Sequence, residues 1–184
     1  MAIAMPRTPM TLARYRLPPA GFLARAALAL ALALAAGGYL AARFRLGLDD
    51  QASRCLPPYR LFLIDRHDRA VTQGDLVAFA AQGERMGPWF ADGTTVIKRA
   101  AAVPGDRVQV TAGPAPEVRV NGARVGEGLA LAGTLQRRPE DFARDAIVPG
   151  EHLWVMGGTA DSFDSRYWGF LPQHRVIGRA HALW

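Results

Sequence analysis

Residues Ala26 to Ala42 carry no charge and are mostly alanine and leucine, with Arg25 before them and Arg43 after. Such a run has to be helical and has to be hidden from water. At about 1.5 Å per residue it reaches roughly 25 Å, the short end of what an apolar bilayer core of about 30 Å requires. The flanking arginines can extend that reach by placing their charged heads at the interfaces. Arg7, Arg14, Arg16 and Arg25 precede the run with no acid among them, which places the N-terminus in the cytoplasm. The expected organisation is a basic cytoplasmic leader over 1–25, a transmembrane anchor over 26–42 and one folded domain over 43–184. A cleavable signal peptide is the competing reading, because the run is alanine-rich and ends in small residues. The length of the leader and of the apolar stretch favours a retained anchor. Both readings put the domain outside the cytoplasm, in the periplasm or its equivalent; the retained anchor also holds it at the inner membrane.

The net charge of +6 over 184 residues invites a nucleic-acid reading. The positive charges are spread along the chain, however, and Arg137-Arg138 is the densest pair past the anchor. No basic run with interleaved aromatics appears, so no nucleic-acid partner is expected. Lys98 is the only lysine, in a chain whose other basic residues are arginines. Arginine keeps its proton under any physiological condition, whereas a desolvated lysine can lose one. A position that stays lysine is a candidate base, although a chance surviving surface lysine fits the same composition. Cys55 is the only cysteine and cannot form an internal disulfide. His67, His152, His174 and His181 show no ligand spacing, so no metal site is expected, and nothing asks for a cofactor.

Beyond Asp49 the chain is a series of short apolar runs broken by glycine, proline and Asn-Gly. Residues Leu61–Ile64, Leu76–Ala80, Thr94–Val103, Arg107–Val110, Glu117–Val120, His152–Met156 and Val176–Ala182 read as strands. Asn121-Gly122 supplies two positive φ angles for a type I′ hairpin turn between Val118 and Val125. Residues 129–146 are ambiguous, with a short helix able to start at Pro139. The fold class expected is mainly β, as small coiled sheets after one N-terminal transmembrane helix.

Three segments carry chemistry-bearing residues. Ser53-Arg-Cys-Leu-Pro-Pro58 follows the anchor closely. Val96-Ile-Lys-Arg-Ala-Ala-Ala-Val-Pro-Gly-Asp106 places Lys98 on an apolar strand, where desolvation works against the charged form. Met156-Gly-Gly-Thr-Ala-Asp-Ser-Phe-Asp-Ser-Arg-Tyr-Trp-Gly169 combines a glycine turn, clustered hydroxyls and an Asp164/Arg166 pair. Singly, each has a bland explanation. Cys55 could be a small core residue, Lys98 a gatekeeper at a strand edge, and Asp164–Arg166 an ordinary surface pair.

Together, in this order, the segments resemble the signal peptidase I family. That family has an anchor, a Ser-x-Ser-Met-x-Pro box, a Lys-Arg…Pro-Gly-Asp box, and a Gly-Asp…Ser-x-Asp-Ser-Arg-x-x-Gly box. Ser53-Arg-Cys-Leu-Pro-Pro58, Lys98-Arg99 with Pro104-Gly105-Asp106, and Ser162-Phe-Asp-Ser-Arg-Tyr-Trp-Gly169 match them in turn. Gly74-Asp75-Leu-Val-Ala-Phe79 is similar to the family's strand between the first two. The compact size and Cys-Leu-Pro-Pro-Tyr-Arg60 look most like the conjugative-transfer branch. Gly158 departs from the pattern, standing where the third box carries aspartate.

The resemblance implies an endopeptidase that removes leader peptides from exported precursors with small residues before the cut, with pilins or other conjugative-transfer proteins among them. It implies Lys98 as general base, Ser162 as the hydroxyl that orients it, and Ser53 as an aid to the backbone N–H that binds the oxyanion. Asp164 and Arg166 become a structural pair near the site. Cys55 stands where the family has its nucleophilic serine, and a thiol needs less help from a base than a hydroxyl does. Three readings follow: Cys55 attacks, Ser53 attacks, or the chain is a catalytically inactive relative that still binds exported peptides. A fourth, of a different class, is a membrane-tethered assembly factor of a conjugation or secretion apparatus. Membrane lipid is a partner in all of them.

Overall fold

The computed structural model describes residues 18–51, 54–87 and 89–184. The chain divides into two compact units, Met1–Tyr39 and Leu40–Trp184. Helix α1, Ala20–Arg43, supplies the described part of the first unit and runs into the second. It starts ahead of the uncharged run and takes in Arg25. None of its residues is buried. Leu28, Leu30, Leu32 and Leu34 are each about 60% exposed or more; at spacings of two they point to different sides of a helix, so no single face is set apart for a protein core. Among the described residues this is the one helix long and apolar enough to cross a membrane.

The second unit is mainly β and antiparallel. Strands β1 (Phe44–Leu48), β2 (Leu61–Asp65), β3 (Leu76–Ala80) and β4 (Thr95–Ala102) are followed by β5 (Arg107–Val110), β6 (Glu117–Val120) and β7 (Ala123–Glu127). Then come β8 (Arg144–Ile147), β9 (His152–Met156), β10 (Leu171–Pro172) and β11 (Val176–Ala182). They form a seven-stranded sheet in the order β1-β2-β11-β3-β4-β9-β10 and a four-stranded sheet in the order β7-β6-β5-β8. Five expected strands, β3, β5, β6, β9 and β11, have the expected bounds. The hairpin turn is also as expected, with φ of 50° at Asn121 and 84° at Gly122. Pro139 starts a single 3-10 turn to Phe142.

Strands β1, β8 and β10 were not legible. Strand β8 alternates between half-buried and exposed positions, so it lacks the apolar period that marks a strand. Strand β1 lies ahead of Asp49, before the first run read as a strand; what makes it a strand is its pairing with β2, Phe44 opposite Asp65 through Leu48 opposite Leu61. At that junction Asp65 accepts Arg43 Nε at 3.1 Å and Nη2 at 2.6 Å. The Arg43 hydrogen bond, outweighing the opposing effect of burial, lowers the Asp65 pKa from an ordinary 3.8 to about 2.

One apolar core joins the sheets. Val77 and Phe79 of β3 and Trp154 of β9 belong to the same buried cluster as Val108 of β5 and Val118 and Val120 of β6. In β4 the burial pattern alternates, so Val96, Lys98, Ala100 and Ala102 all point inward. The lone lysine therefore occupies a core position on its strand.

Candidate active site

Lys98 is 1% exposed. Its position follows from the period of two along β4 and from pairing opposite Val77 on β3. The amine donates to Ser162 Oγ at 2.7 Å, and no carboxylate pairs with it among the described residues.

Ser162 lies in the loop between β9 and helix α2 (Ser165–Trp168). That loop is fixed by a buried ion pair. Asp164 is 0% exposed and Arg166 1%, so the pair is part of the interior and not a surface contact. Asp164 accepts Arg166 Nη2 at 2.8 Å and Nε at 2.9 Å, and also the backbone N–H of Gly157 at 2.9 Å. The guanidinium further donates to the carbonyls of Glu127 (2.7 Å), Thr159 (2.8 Å) and Ser162 (3.1 Å). Burial, the largest single effect, works against the arginine's charge, but the hydrogen bonds and charge of Asp164, together with the charges of Tyr167 and Asp161, outweigh it and raise the pKa above the ordinary arginine value.

Cys55 is half-buried. Its carbonyl accepts the Gly158 N–H at 2.6 Å, which ties the first segment to the third. Gly157 lies against the same point. A Cβ there would sit 2.2 Å from Ser162 Oγ and 2.9 Å from the Cys55 carbonyl, so a side chain at 157 would displace both. At Gly158 the same test gives an ordinary 3.6 Å contact with the Cys55 carbonyl.

Cys55 and Lys98 line one cavity of about 590 Å³, whose walls include Phe62, Ile64, Ile97 and Trp89. Trp89 stacks on Phe163, next to Ser162, at a centroid distance of 5.4 Å. The sulfur is not hydrogen-bonded to the amine. Its contact is the Gln51 side-chain oxygen at 3.9 Å. The structure thus brings together Lys98 and Ser162, puts Cys55 on the cavity that Lys98 lines, and places Asp164–Arg166 beneath the loop that carries Ser162. Ser53 lies outside the described residues. Gly157 and Gly158 were visible in the sequence only as a glycine turn. Their contact with Cys55 links residues about a hundred positions apart, and no local pattern announces it.

Residues 21–184 match the family described as signal peptidase, peptidase S26, and the chain belongs to that family. Over 110 residues it is 33% identical to the probable signal peptidase I-2 of Synechocystis sp., covering 59% of this chain and 45% of that one. Over 120 residues it is 30% identical to the signal peptidase I of Leptolyngbya laminosa, covering 64% and 54%. It is also 28% identical over 141 residues to the conjugal transfer protein TraF of Agrobacterium fabrum, covering 68% and 76%. The chain thus spans about half the length of these signal peptidase I relatives. Among solved structures, a signal peptidase I from Enterococcus faecalis matches with a TM-score of 0.38 and 26% identity, covering 64% of this chain and 99% of that one.

Proposed function

We propose that this chain is a membrane-anchored endopeptidase that cleaves leader peptides from exported precursors, with Cys55 as nucleophile and Lys98 as its proton-transfer partner. The observation that carries the reading is a buried lysine, hydrogen-bonded to Ser162 Oγ at 2.7 Å and free of carboxylates among the described residues, on the cavity that Cys55 also lines. Membership of the peptidase S26 family supports it.

The chemistry then runs in two halves. Cys55 Sγ gives its proton to Lys98 Nζ and attacks the scissile carbonyl. The tetrahedral intermediate carries an oxyanion that the Cys55 N–H, helped by Ser53, receives. It collapses as Lys98 passes its proton to the departing amine, leaving a thioester on Cys55. Water attacks the thioester with Lys98 now accepting its proton, the acid is released, and the proton returns to the thiol. Ser162 holds the amine in line through both halves.

In this reading residues 1–25 are the cytoplasmic leader, 26–42 the single span of the inner membrane, and 43–184 the catalytic domain on the extracytoplasmic side. Substrates are precursors with small residues before the cut. The TraF relative supports substrates and partners from a conjugation apparatus.

The test uses the full chain in detergent with a precursor bearing small residues before its cut. Alkylation of Cys55 should abolish cleavage, and Cys55→Ser should retain a reduced rate. Cleavage that survives alkylation but not Ser53→Ala would assign the attack to Ser53. A second reading, a catalytically inactive membrane-tethered peptide-binding or assembly factor, draws on the missing sulfur–amine hydrogen bond. Absence of cleavage by both the native chain and Cys55→Ser would favour it.

A further inference from the structure

A second cavity, of about 350 Å³, lies between strand β7 and the loop 156–160. The two cavities meet at one backbone contact. Cys55 lines the larger, Gly158 lines the smaller, and the Gly158 N–H donates to the Cys55 carbonyl at 2.6 Å. A peptide attacked at Cys55 has two halves that diverge from the sulfur. The larger cavity has a mixed wall whose apolar part, Leu56, Phe62 and Ile97 among it, suits the apolar side chains of a leader. The other half needs a separate path.

We infer that the smaller cavity receives the precursor residues immediately after the cut, and that it takes neutral side chains of modest size. This rests on the endopeptidase reading. Three observations carry it. First, the volume is near the lower limit of ordinary ligand sites, enough for one or two small side chains. Second, β7 is an edge strand of the four-stranded sheet, so it offers backbone groups to an extended chain. Third, the charges at the rim cancel: Arg124 is paired with Glu127 and lies 3.7 Å from Glu117, so neither sign of side chain is favoured.

The cavity is also preformed. Gly128 approaches Ala160 so closely that a Cβ on it would sit 2.9 Å from the Ala160 Cβ. Arg166 forms the back wall and bonds carbonyls on both sides, Glu127 from β7 and Thr159 from the loop. A side chain seated here presses on the loop that holds the Cys55 carbonyl and carries Ser162, so its fit should be felt in the rate.

The experiment uses the full chain in detergent and precursors identical up to the cut, with Ala-Ala, Trp-Trp, Asp-Asp or Lys-Lys after it. A leader peptide ending in a small chromogenic amide, with no residues after the cut, is the reference. The expected result is kcat/KM at least tenfold lower for Trp-Trp than for Ala-Ala, with Asp-Asp and Lys-Lys reduced alike. Val125→Ala, at a 39% exposed position on the cavity wall, should recover part of the Trp-Trp loss and leave the Trp-Trp and Ala-Ala values closer together. If the amide is cleaved but all four precursors agree within twofold, the inference is overturned and the endopeptidase reading stands. If neither the amide nor any precursor is cleaved, the reading fails and the inference falls with it.

Discussion

Lys98 donates to Ser162 Oγ at 2.7 Å across 64 positions of sequence, and that hydroxyl is the amine's hydrogen-bond partner among the described residues. Ser162→Ala should therefore lower kcat more than it raises KM. The expected loss is roughly 10- to 100-fold, a fraction of what positioned proton transfer contributes. Steady-state cleavage of a precursor, with circular dichroism to verify the fold, measures the split.

Lys98→Met separates catalysis from stability. It replaces a buried amine with an apolar side chain of similar length. Cleavage should be lost, while the urea midpoint should hold or rise, because an apolar side chain of similar length fills the buried position without a polar group to desolvate. A midpoint well below wild type would show that the amine is structural.

Asp164→Ala should behave in the opposite way. It strips the counter-ion from Arg166, which is 1% exposed, and releases the Gly157 N–H. Removing one partner of a buried pair costs about 3–5 kcal/mol. Urea denaturation of the detergent-solubilised chain should show that loss, together with loss of cleavage.

Gly157 and Gly158 should differ sharply. A Cβ at 157 would sit 2.2 Å from Ser162 Oγ, whereas one at 158 would make a 3.6 Å contact. Gly157→Ala should reduce kcat/KM by about 100-fold or more, taking near-complete loss of aligned proton transfer as the scale. Gly158→Ala should stay within a few-fold of wild type in the same cleavage assay.

The junction of α1 with the β domain should be acid-sensitive. The folded Asp65 pKa is about 2, below its ordinary 3.8. A carboxyl with a depressed folded pKa adds stability above the unfolded value and loses it as pH falls through the folded one. The urea midpoint of wild type should thus drop between about pH 4 and pH 2. In Asp65→Asn it should start lower and lose less over that window.

Much of this was legible before any coordinates. Strands β5, β6 and β11 announce themselves through period-two alternation, because each packs one face on the core, whereas β3 and β9, buried on both faces, read as continuous apolar runs between turns. Lys98 was placed on an apolar strand by Val96 and Ala100, which share its inward face. Strand β8 was hidden, since its residues lie at the surface and hydrophobicity carries no signal there. The depth of Asp164 and Arg166 was hidden too: a two-residue spacing of opposite charges looks the same on a surface as under a loop. Cys55 was read as a partner of Lys98, and the structure puts both on one cavity, while its sulfur faces the Gln51 oxygen instead of the amine. Contacts of that kind depend on how a turn after the anchor is seated, which no local pattern encodes.

The burial of Lys98 has a practical corollary. The chain has a single ε-amino group, and the fold closes over it almost completely. Acylating reagents and amine cross-linkers will thus find no lysine target on the intact molecule. Any labelling of that lysine must come from moments when β4 or the loop carrying Ser162 has opened. The rate of that labelling becomes a clock for the breathing of the site, readable by mass spectrometry without a single engineered probe.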